Sequence, residues 1–306
     1  MNKPEPKLRR VLSRPPTRRI GMLGVGIMGL AMAANLVKAG FEVYGYDPNP
    51  QARKRLQAAG GVPCPDTCTL ASNVDVIICA LPGPKALHDA VPKIAASGNR
   101  QLLVIETSTL DIDDKKAARD ILKAQSMVML DCPLSGTGAQ AAVKDLTVYA
   151  SGPRSVIRHL APVFDGFAKN CFDLGTFGNG MKMKLMANLL VAIHNVATAE
   201  ALLLGQKWGI SPSRAVQVLS DGAGGSRMLQ IRGPLMADEG WTTPTMKVAI
   251  WQKDMALIAA ALAKAQVPAP LFSASIPVYN AAMALGHGEH DTASVFNVLL
   301  RMSSSS

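Results

Sequence analysis

Two patterns of hydrophobic and polar positions divide this chain of 306 residues. From residue 19 to about residue 174, short apolar runs alternate with stretches of helical periodicity. Strands are predicted at residues 19–24, 42–47, 75–81, 102–107, 128–132, 146–151 and 171–174, and helices at 28–38, 85–94, 113–124 and 155–167. Such alternation is typical of a doubly wound, mainly parallel α/β sheet with helices on both faces.

Beyond Gly180 the strand pattern ends and only helical periodicity remains. A long helix is predicted at residues 181–207, and a second helix begins at Ser211-Pro212, a capping residue followed by proline. Further helices are predicted at about 226–238, 247–266, 270–284 and 292–302. The second half is therefore expected to be an all-α domain, joined to the α/β domain by the long helix.

The net charge of +10 is concentrated at the start of the chain. Residues 1–19 hold seven basic side chains against Glu5 alone, together with four prolines, so residues 1–18 are interpreted as a flexible basic leader. The leader lacks the apolar core of a secretory signal. Basic side chains suit phosphate contacts, so a non-enzymatic nucleic-acid-binding protein stays an alternative, although the leader has no aromatic residue.

Cysteine spacing and hydropathy point to a cytoplasmic protein. The five cysteines match no zinc-binding pattern and are predicted to be buried free thiols in a reducing compartment. The most apolar stretch, residues 185–199, is interrupted by two asparagines and a histidine and is predicted not to span a membrane. His287-x-x-His290 is interpreted as a surface turn, so no metal site is predicted. The charged run at residues 113–116 is interpreted as a solvated helix face.

Gly24, Gly26 and Gly29 form a Gly-x-Gly-x-x-Gly motif between a predicted strand and a predicted helix, which is the context of a dinucleotide-binding turn. The first glycine makes the tight turn, the second leaves room for the pyrophosphate, and the third lets the helix pack on the strand. Ile27 and Met28 open the helix, whose N-terminus faces the phosphates. These residues are the predicted cofactor loop.

Asp47 ends the second predicted strand, where an acidic residue binds the ribose hydroxyls of NAD and repels the 2′-phosphate of NADP. The nearest basic residue is Arg53. NAD is therefore the predicted cofactor, with NADP as the alternative. Residues 19–178 are assigned to a dinucleotide-binding Rossmann domain, and residues 179–302 to an all-helical substrate and dimerisation domain.

Lys184 and Asn188 follow two glycines, Gly178 and Gly180, near the start of the long helix. Residues four apart share a helix face, so the ammonium and the amide point the same way. Lys184 is the candidate general acid/base for an alcohol, with a pKa lowered from about 10.4 by partial burial and neighbouring positive charge. The alternatives are a solvated Lys184 and an Asn188 that only bonds another helix.

Two further motifs complete a resemblance to the β-hydroxyacid dehydrogenases, the family that includes 3-hydroxyisobutyrate dehydrogenase. They are the run Asp-Cys-Pro-Leu-Ser-Gly at residues 131–136 and the pair Lys253-Asp254. The resemblance implies a substrate loop and cofactor-lining positions, with Lys253 reaching both substrate and cofactor. The substrate loop is Ser135, Gly136 and Thr137, and the cofactor-lining residues are Leu81, Pro82 and Thr109. Thr137 and Glu106 depart from the family pattern, which commonly has Gly and Asp there.

The resemblance further implies an NAD(P)-dependent oxidoreductase that transfers a hydride between a short 3-hydroxy acid and nicotinamide. The acid would be of the 3-hydroxyisobutyrate, glycerate/tartronate semialdehyde or threonate type. The apolar helices of the second half predict a homodimer or homotetramer. Imine reduction on the same scaffold is the enzymatic alternative, and Lys184 counts against it. Ser135-Gly136 as a plain turn and Lys253 as a surface charge stay open.

Overall fold

The computed structural model describes residues 17–303, so the predicted leader lies almost entirely outside the described residues. The chain divides into two compact units, the first ending at Lys184 and the second beginning at Leu185. The division falls inside one long helix, a few residues beyond the domain boundary expected at residue 178.

Six parallel strands form the main sheet of the first unit. They are β1 (Arg19–Leu23), β2 (Glu42–Tyr46), β3 (Val62–Pro63), β4 (Val76–Cys79), β5 (Leu103–Glu106) and β6 (Val128–Asp131). The connecting helices are α1 (Ile27–Lys38), α2 (Pro50–Ala58), α3 (Thr67–Asn73), α4 (Pro84–Ala95) and α5 (Ile112–Ala124). The strand order β3-β2-β1-β4-β5-β6 changes direction beside β1, which confirms the predicted doubly wound Rossmann class.

The central strands are continuous apolar runs because both faces of the sheet are covered. Every residue of β4 and β5 is buried. Ile78 and Ile105 belong to one hydrophobic core, whereas their chain neighbours Ile77 and Val104 belong to another. Since successive strand residues point to opposite faces, each side of the sheet carries its own packed layer of helices.

The last two predicted strands, at residues 146–151 and 171–174, do not extend this sheet. After β6 the chain forms a separate three-stranded sheet of β7 (Leu134–Ser135), β8 (Thr147–Ala150) and β9 (Asn170–Asp173). Strand β7 pairs antiparallel with β8, and β9 pairs parallel with it. Hydrophobic periodicity marks a strand but does not identify its partner, which is why the second sheet was missed.

Short helices account for most of the other differences. Helix α2 has only Ala52 and Leu56 buried, so it gives no hydrophobic periodicity; its start is set by the Asn49 side chain, which accepts from Gln51 N. Helix α6 (Gly138–Ala142) was also not predicted. The predicted helix at 155–167 is two helices, α7 (Arg154–His159) and α8 (Ala161–Phe167), because a proline at the start of α8 cannot continue the preceding helix.

The charged run at the start of α5 is not uniformly solvated. Lys116 is exposed and pairs with Asp113 at 2.8 Å, as expected. Lys115, by contrast, is fully buried, and its Nζ lies 2.7 Å from Glu106 Oε2 and 2.8 Å from Asp131 Oδ1. The interpretation of this run as a solvated face is therefore wrong at Lys115, because its partners lie at the ends of β5 and β6.

Helices make up the second unit, as predicted. The long helix α9 (Asn179–Lys207) is followed by α10 (Pro212–Ser220), α11 (Arg227–Ala237), α12 (Val248–Ala265), α13 (Pro270–Ala284) and α14 (Val295–Ser303). Short 3-10 turns occur at Gly240–Thr242, His287–Glu289 and Thr292–Ser294. Trp251, Phe272, Tyr279 and Phe296 are buried in one core, which these helices share.

By length and composition alone α9 could cross a membrane, contrary to the expectation from residues 185–199. Its packing shows a different role, because its Ala192 and Leu202 belong to the core of the second unit. The buried Asn195 donates from Nδ2 to Tyr279 Oη at 3.1 Å and to the Thr292 carbonyl at 2.9 Å. Polar side chains bonded to neighbouring segments in this way are typical of a protein core.

A buried ion pair joins distant parts of the second unit. Arg232 on α11 places Nη1 2.5 Å from Asp291 Oδ1 and 2.7 Å from Oδ2. The same carboxylate accepts from the backbone amides of Thr245, Met246 and Ala293. Since both side chains are buried, the loss of one partner would leave an uncompensated charge inside the core.

We expect Asp291→Asn to lower the free energy of unfolding of the second unit by about 3–5 kcal/mol, because Arg232 would stay charged and buried without a counter-ion. All three tryptophans of the chain lie in this unit, so their fluorescence during urea unfolding reports its stability. The matched control is Glu289→Gln, which removes the exposed pair with Lys247 and should cost less than about 1 kcal/mol. Equal losses in the two variants would contradict this prediction.

Candidate active site

Two glycines of the cofactor loop are required by the fold itself. Gly24 has φ +86°, and a Cβ there would overlap the carbonyl oxygen of Ala80. A Cβ on Gly29 would overlap the carbonyl oxygen of Gly24. Helix α1 thus packs so closely on β1 and β4 that only glycine fits at these two positions.

Gly26 is a different case, because a Cβ there would meet no protein atom within 4 Å. Its φ of −71° is open to any residue. The space above Gly26 therefore serves no packing within the chain, and it lies where the backbone amides at the start of α1 face outward. Open space beside the amides of a helix N-terminus fits the pyrophosphate of a dinucleotide. Ile27, 81% exposed, presents a large apolar side chain beside it, and Met28 follows in the first turn.

Asp47 follows β2 and holds the cofactor loop in place. Its Oδ2 accepts from Val25 N at 2.8 Å, and its Oδ1 accepts from Asn49 N at the same distance. Arg53 curls back onto this turn, where Nη1 donates to the Asp47 carbonyl oxygen at 2.6 Å. The acidic residue and the nearest basic residue thus lie together at the end of β2, where an adenosine ribose would bind in a Rossmann domain.

The remaining predicted cofactor residues lie on the loops after β4 and β5. Ser108 Oγ accepts from Leu81 N at 2.8 Å, which ties the two loops together. Leu81 and Thr109 are half-buried, whereas Pro82 is exposed. These loops emerge at the carboxyl ends of central strands, which is the edge where open α/β sheets bind ligands.

The predicted substrate loop lies against the cofactor loop. Gly136 has φ +134°, so glycine is needed there, and Ser135 ends β7. A Cβ on the next glycine, Gly138, would overlap the side chain of Ile27. Thr137 uses its backbone amide within the chain, donating to Gln140 Oε1 at 3.0 Å, so it is not an amide donor for a substrate carboxylate.

The first unit also carries Lys184, which is half-buried on α9. The first turn of this helix is bonded to the end of β6, since Met181 N donates to Asp131 Oδ2 at 2.8 Å. The substrate loop continues from the same strand end, so one structural anchor serves both the loop and the helix. Asn188 follows Lys184 by one turn of α9.

In the second unit, Asn188 and Lys253 meet at one carboxylate. The buried Asn188 donates from Nδ2 to Asp254 Oδ2 at 2.8 Å, and Lys253 Nζ lies 3.5 Å from Asp254 Oδ1. Because a carboxylate only accepts, this bond turns the amide oxygen of Asn188 away from Asp254. Asn188 therefore bonds another helix, as expected under the alternative to a substrate role, and the same bond orients its amide.

The histidines near the C-terminus do not form a plain surface turn, because His287 is buried. Its Nδ1 lies 2.8 Å from His290 Nδ1, and its Nε2 lies 3.1 Å from Asn297 Oδ1. Burial lowers the pKa of His287, which favours the neutral ring. Among residues 17–303, no group of three or more potential metal ligands occurs.

Comparisons with known proteins agree with this arrangement. Residues 19–175 match the NAD-binding domain of 6-phosphogluconate dehydrogenase, and residues 178–299 match a domain described as the NAD-binding domain of NADP-dependent 3-hydroxyisobutyrate dehydrogenase. The chain is 32% identical to the L-threonate dehydrogenase of Cupriavidus necator, over 92% of this chain and 96% of that one.

Solved structures give the same result. The 3-hydroxyisobutyrate dehydrogenase of Salmonella typhimurium superposes with a TM-score of 0.82 at 30% identity, covering 92% of this chain and 99% of that one. The Mycobacterium tuberculosis 3-hydroxyisobutyrate dehydrogenase determined with L-serine gives a TM-score of 0.84 at 29% identity, covering 93% and 99%.

The cofactor loop, the strand order and the helical second unit define a nicotinamide-dependent oxidoreductase of the Rossmann class. Within that class, the chain belongs to the β-hydroxyacid dehydrogenase family, to which 3-hydroxyisobutyrate dehydrogenase also belongs. The family and enzyme class predicted from the motifs are thereby confirmed. The roles of individual site residues stay predictions.

We expect Gly26→Ala to fold normally, because its methyl group enters space that no protein atom fills. The same methyl group would occupy the space assigned to the pyrophosphate, so NADH should bind at least about tenfold more weakly. Gly24→Ala should instead lower the free energy of unfolding by about 1–3 kcal/mol through backbone strain and overlap. Thermal unfolding and NADH fluorescence titration measure the two effects separately. Gly205→Ala, on α9, is the matched glycine control, and wild-type NADH affinity in Gly26→Ala would contradict the assignment.

Proposed function

We propose that this protein oxidises a short 3-hydroxy acid with NAD⁺, using Lys184 as the general acid/base. The observation that carries the proposal is the common anchor of two predicted parts in the first unit. The end of β6 bonds the first turn of the helix that holds Lys184, and the same strand leads into the substrate loop. That loop in turn lies against Ile27 of the cofactor loop.

The chain's residues divide the reaction between them. Nicotinamide, when bound, supplies the hydride acceptor. Lys184 takes the hydroxyl proton of the acid through its Nζ as the carbinol hydride leaves, and returns a proton in the reverse direction. Backbone amides of Ser135 and Gly136 hold the substrate carboxylate, so that the carbinol hydrogen has one orientation.

Two residues of the second unit are assigned to the substrate. Asn188 offers its amide oxygen to a substrate hydroxyl, because Asp254 holds the amide nitrogen. Lys253 is assigned to substrate and cofactor binding. Its ammonium lies beside the Asp254 carboxylate, which also orients Asn188. Thr137 adds a hydroxyl where the family commonly has glycine, and a polyhydroxylated acid would make use of it.

The cofactor preference rests on Asp47. Its negative charge at the end of β2 favours the two free hydroxyls of the NAD ribose and opposes a 2′-phosphate. Arg53 is engaged with backbone carbonyls of the same turn, which leaves it less suited to a phosphate. NAD is therefore the proposed cofactor. We further propose a cytoplasmic homodimer or homotetramer, in keeping with the reduced thiols.

We expect the purified protein to reduce NAD⁺ with a four-carbon sugar acid of the threonate type more efficiently than with other acids. The panel comprises D- and L-forms of threonate, glycerate, 3-hydroxyisobutyrate and 3-hydroxybutyrate, each with NAD⁺ and NADP⁺. The measurement is kcat/KM from the absorbance of reduced nicotinamide. If the protein reduces cyclic imines with NADPH and oxidises no hydroxy acid, imine reduction replaces this proposal.

We expect Lys184→Ala to lower kcat by at least about 100-fold while NADH affinity stays unchanged, because general acid–base catalysis contributes on that scale. Steady-state kinetics and NADH titration separate the two quantities. The control is Lys182→Ala, which removes an exposed lysine from the same turn of α9 and should keep wild-type kcat. Near-normal kcat in Lys184→Ala would overturn the assigned role.

A further inference from the structure

Lys115, which none of the family motifs includes, is the centre of a buried charge cluster. Its Nζ lies 2.7 Å from Glu106 Oε2 and 2.8 Å from Asp131 Oδ1, and all three side chains are fully buried. Glu106 and Asp131 are direct register neighbours at the ends of β5 and β6. One ammonium therefore compensates two carboxylates that would otherwise face each other without solvent.

One arm of the cluster reaches the cofactor loops. Glu106 Oε1 accepts from Ser108 N at 3.0 Å, and the Ser108 hydroxyl oxygen accepts from Leu81 N at 2.8 Å. Thr109, which is assigned to the lining of the cofactor site, is the next residue in the chain. The Glu106 carboxylate thus sets the path of the loops that follow β4 and β5.

The other arm reaches the first turn of α9. Asp131 Oδ2 accepts from Met181 N at 2.8 Å and lies 3.1 Å from Ser151 Oγ. The Ser151 oxygen in turn accepts from Gly178 N at 3.2 Å and Gly180 N at 2.9 Å. These three amides at the start of α9, which no helix bond can satisfy, are thereby held by one carboxylate and one hydroxyl.

The start of α9 packs so closely on β6 and β8 that the helix cannot shift freely. A Cβ on Gly180 would overlap the Tyr149 carbonyl oxygen and come within 2.7 Å of the Asp131 carbonyl oxygen. Lys184 follows Met181 by three residues, which is less than one turn of helix. A displacement of the first turn of α9 is therefore passed directly to the Lys184 backbone.

Charge balance explains why this arrangement needs Lys115. Burial alone would lower the pKa of Lys115, but the charges of Glu106 and Asp131 outweigh burial and raise its pKa. Burial raises the pKa values of the nearby thiols of Cys79 and Cys132 well above normal, so they stay neutral. Without the ammonium, two buried carboxylates would lie side by side with no counter-ion.

We propose that Lys115 is a positioning residue, whose ammonium between Glu106 and Asp131 fixes the first turn of α9 and, through it, the catalytic Lys184. This inference rests on the proposed function for its kinetic consequences, but not for its structural ones. Lys115 touches neither substrate nor cofactor, and acts through the Asp131 carboxylate that holds Met181.

The test compares Lys115→Met with Lys116→Met, which removes the exposed neighbouring lysine. We expect Lys115→Met to lower kcat by about 10- to 100-fold, the cost of a small misplacement of a catalytic group, with NADH affinity changed much less. Lys116→Met should match wild type in both quantities.

A second variant separates positioning from general loss of structure. Glu106→Gln added to Lys115→Met removes one of the two unpaired charges, so it should recover part of the lost kcat. No recovery in the double variant would overturn the proposal, as would wild-type kinetics in Lys115→Met. If Lys115→Met does not fold, Asp131→Asn takes its place, because it removes the carboxylate through which Lys115 acts; a smaller loss of kcat is expected, and an unchanged kcat would contradict the proposal.

Hydrogen–deuterium exchange gives a readout that needs no turnover. Peptides covering residues 178–184 should exchange faster in Lys115→Met than in Lys116→Met, because the amides of Gly180 and Met181 lose their fixed acceptors. Unchanged exchange there would overturn the positioning role even if the enzyme is active. A wild-type protein that oxidises no hydroxy acid would refute the proposed function, and the exchange result would still decide the role of Lys115.

Discussion

In the first unit, the ammonium of Lys115 is shared by two buried carboxylates at the sheet edge from which the cofactor loops and α9 begin. Glu106 and Asp131 end adjacent parallel strands, where two buried negative charges would repel each other strongly in a medium of low dielectric constant. Lys115 turns that repulsion into attraction, and each carboxylate then has an oxygen left for the backbone of a functional loop or helix. The loops after β4 and β5 and the start of α9 take their positions from this one contact.

The sequence was sufficient for the architecture wherever burial was complete or spacing was regular. Strand β4 is apolar at every position because both faces of the sheet are covered, and that run was readable without coordinates. Helix α2 was not readable, since it buries only Ala52 and Leu56; the cap at Asn49 was the signal that could have found it. The separate sheet of β7 to β9 depends on pairing, which periodicity does not encode.

The same contrast between regular spacing and long-range contact applies to the site residues. Gly24 and Gly29 were recognisable because their spacing along the chain is itself the signal, and the role of Lys184, which rests on spacing as well, stays a prediction. The contacts of Lys115 and Asp254 were not recognisable, because their partners lie 16 and 66 residues away along the chain. A charged run beside an exposed helix face also resembles any solvated surface, and only the fold shows that one of its lysines turns inward.

The cysteines, finally, make the protein convenient to label. Cys68 on α3 is exposed, whereas Cys64, Cys79 and Cys132 are buried and the pKa of the half-buried Cys171 is raised to about 12. Since the thiolate is the reactive form, a maleimide dye should attach at Cys68 in preference to the others. The natural sequence thus offers a single attachment point for a fluorophore in the nucleotide-binding unit, without any prior removal of thiols.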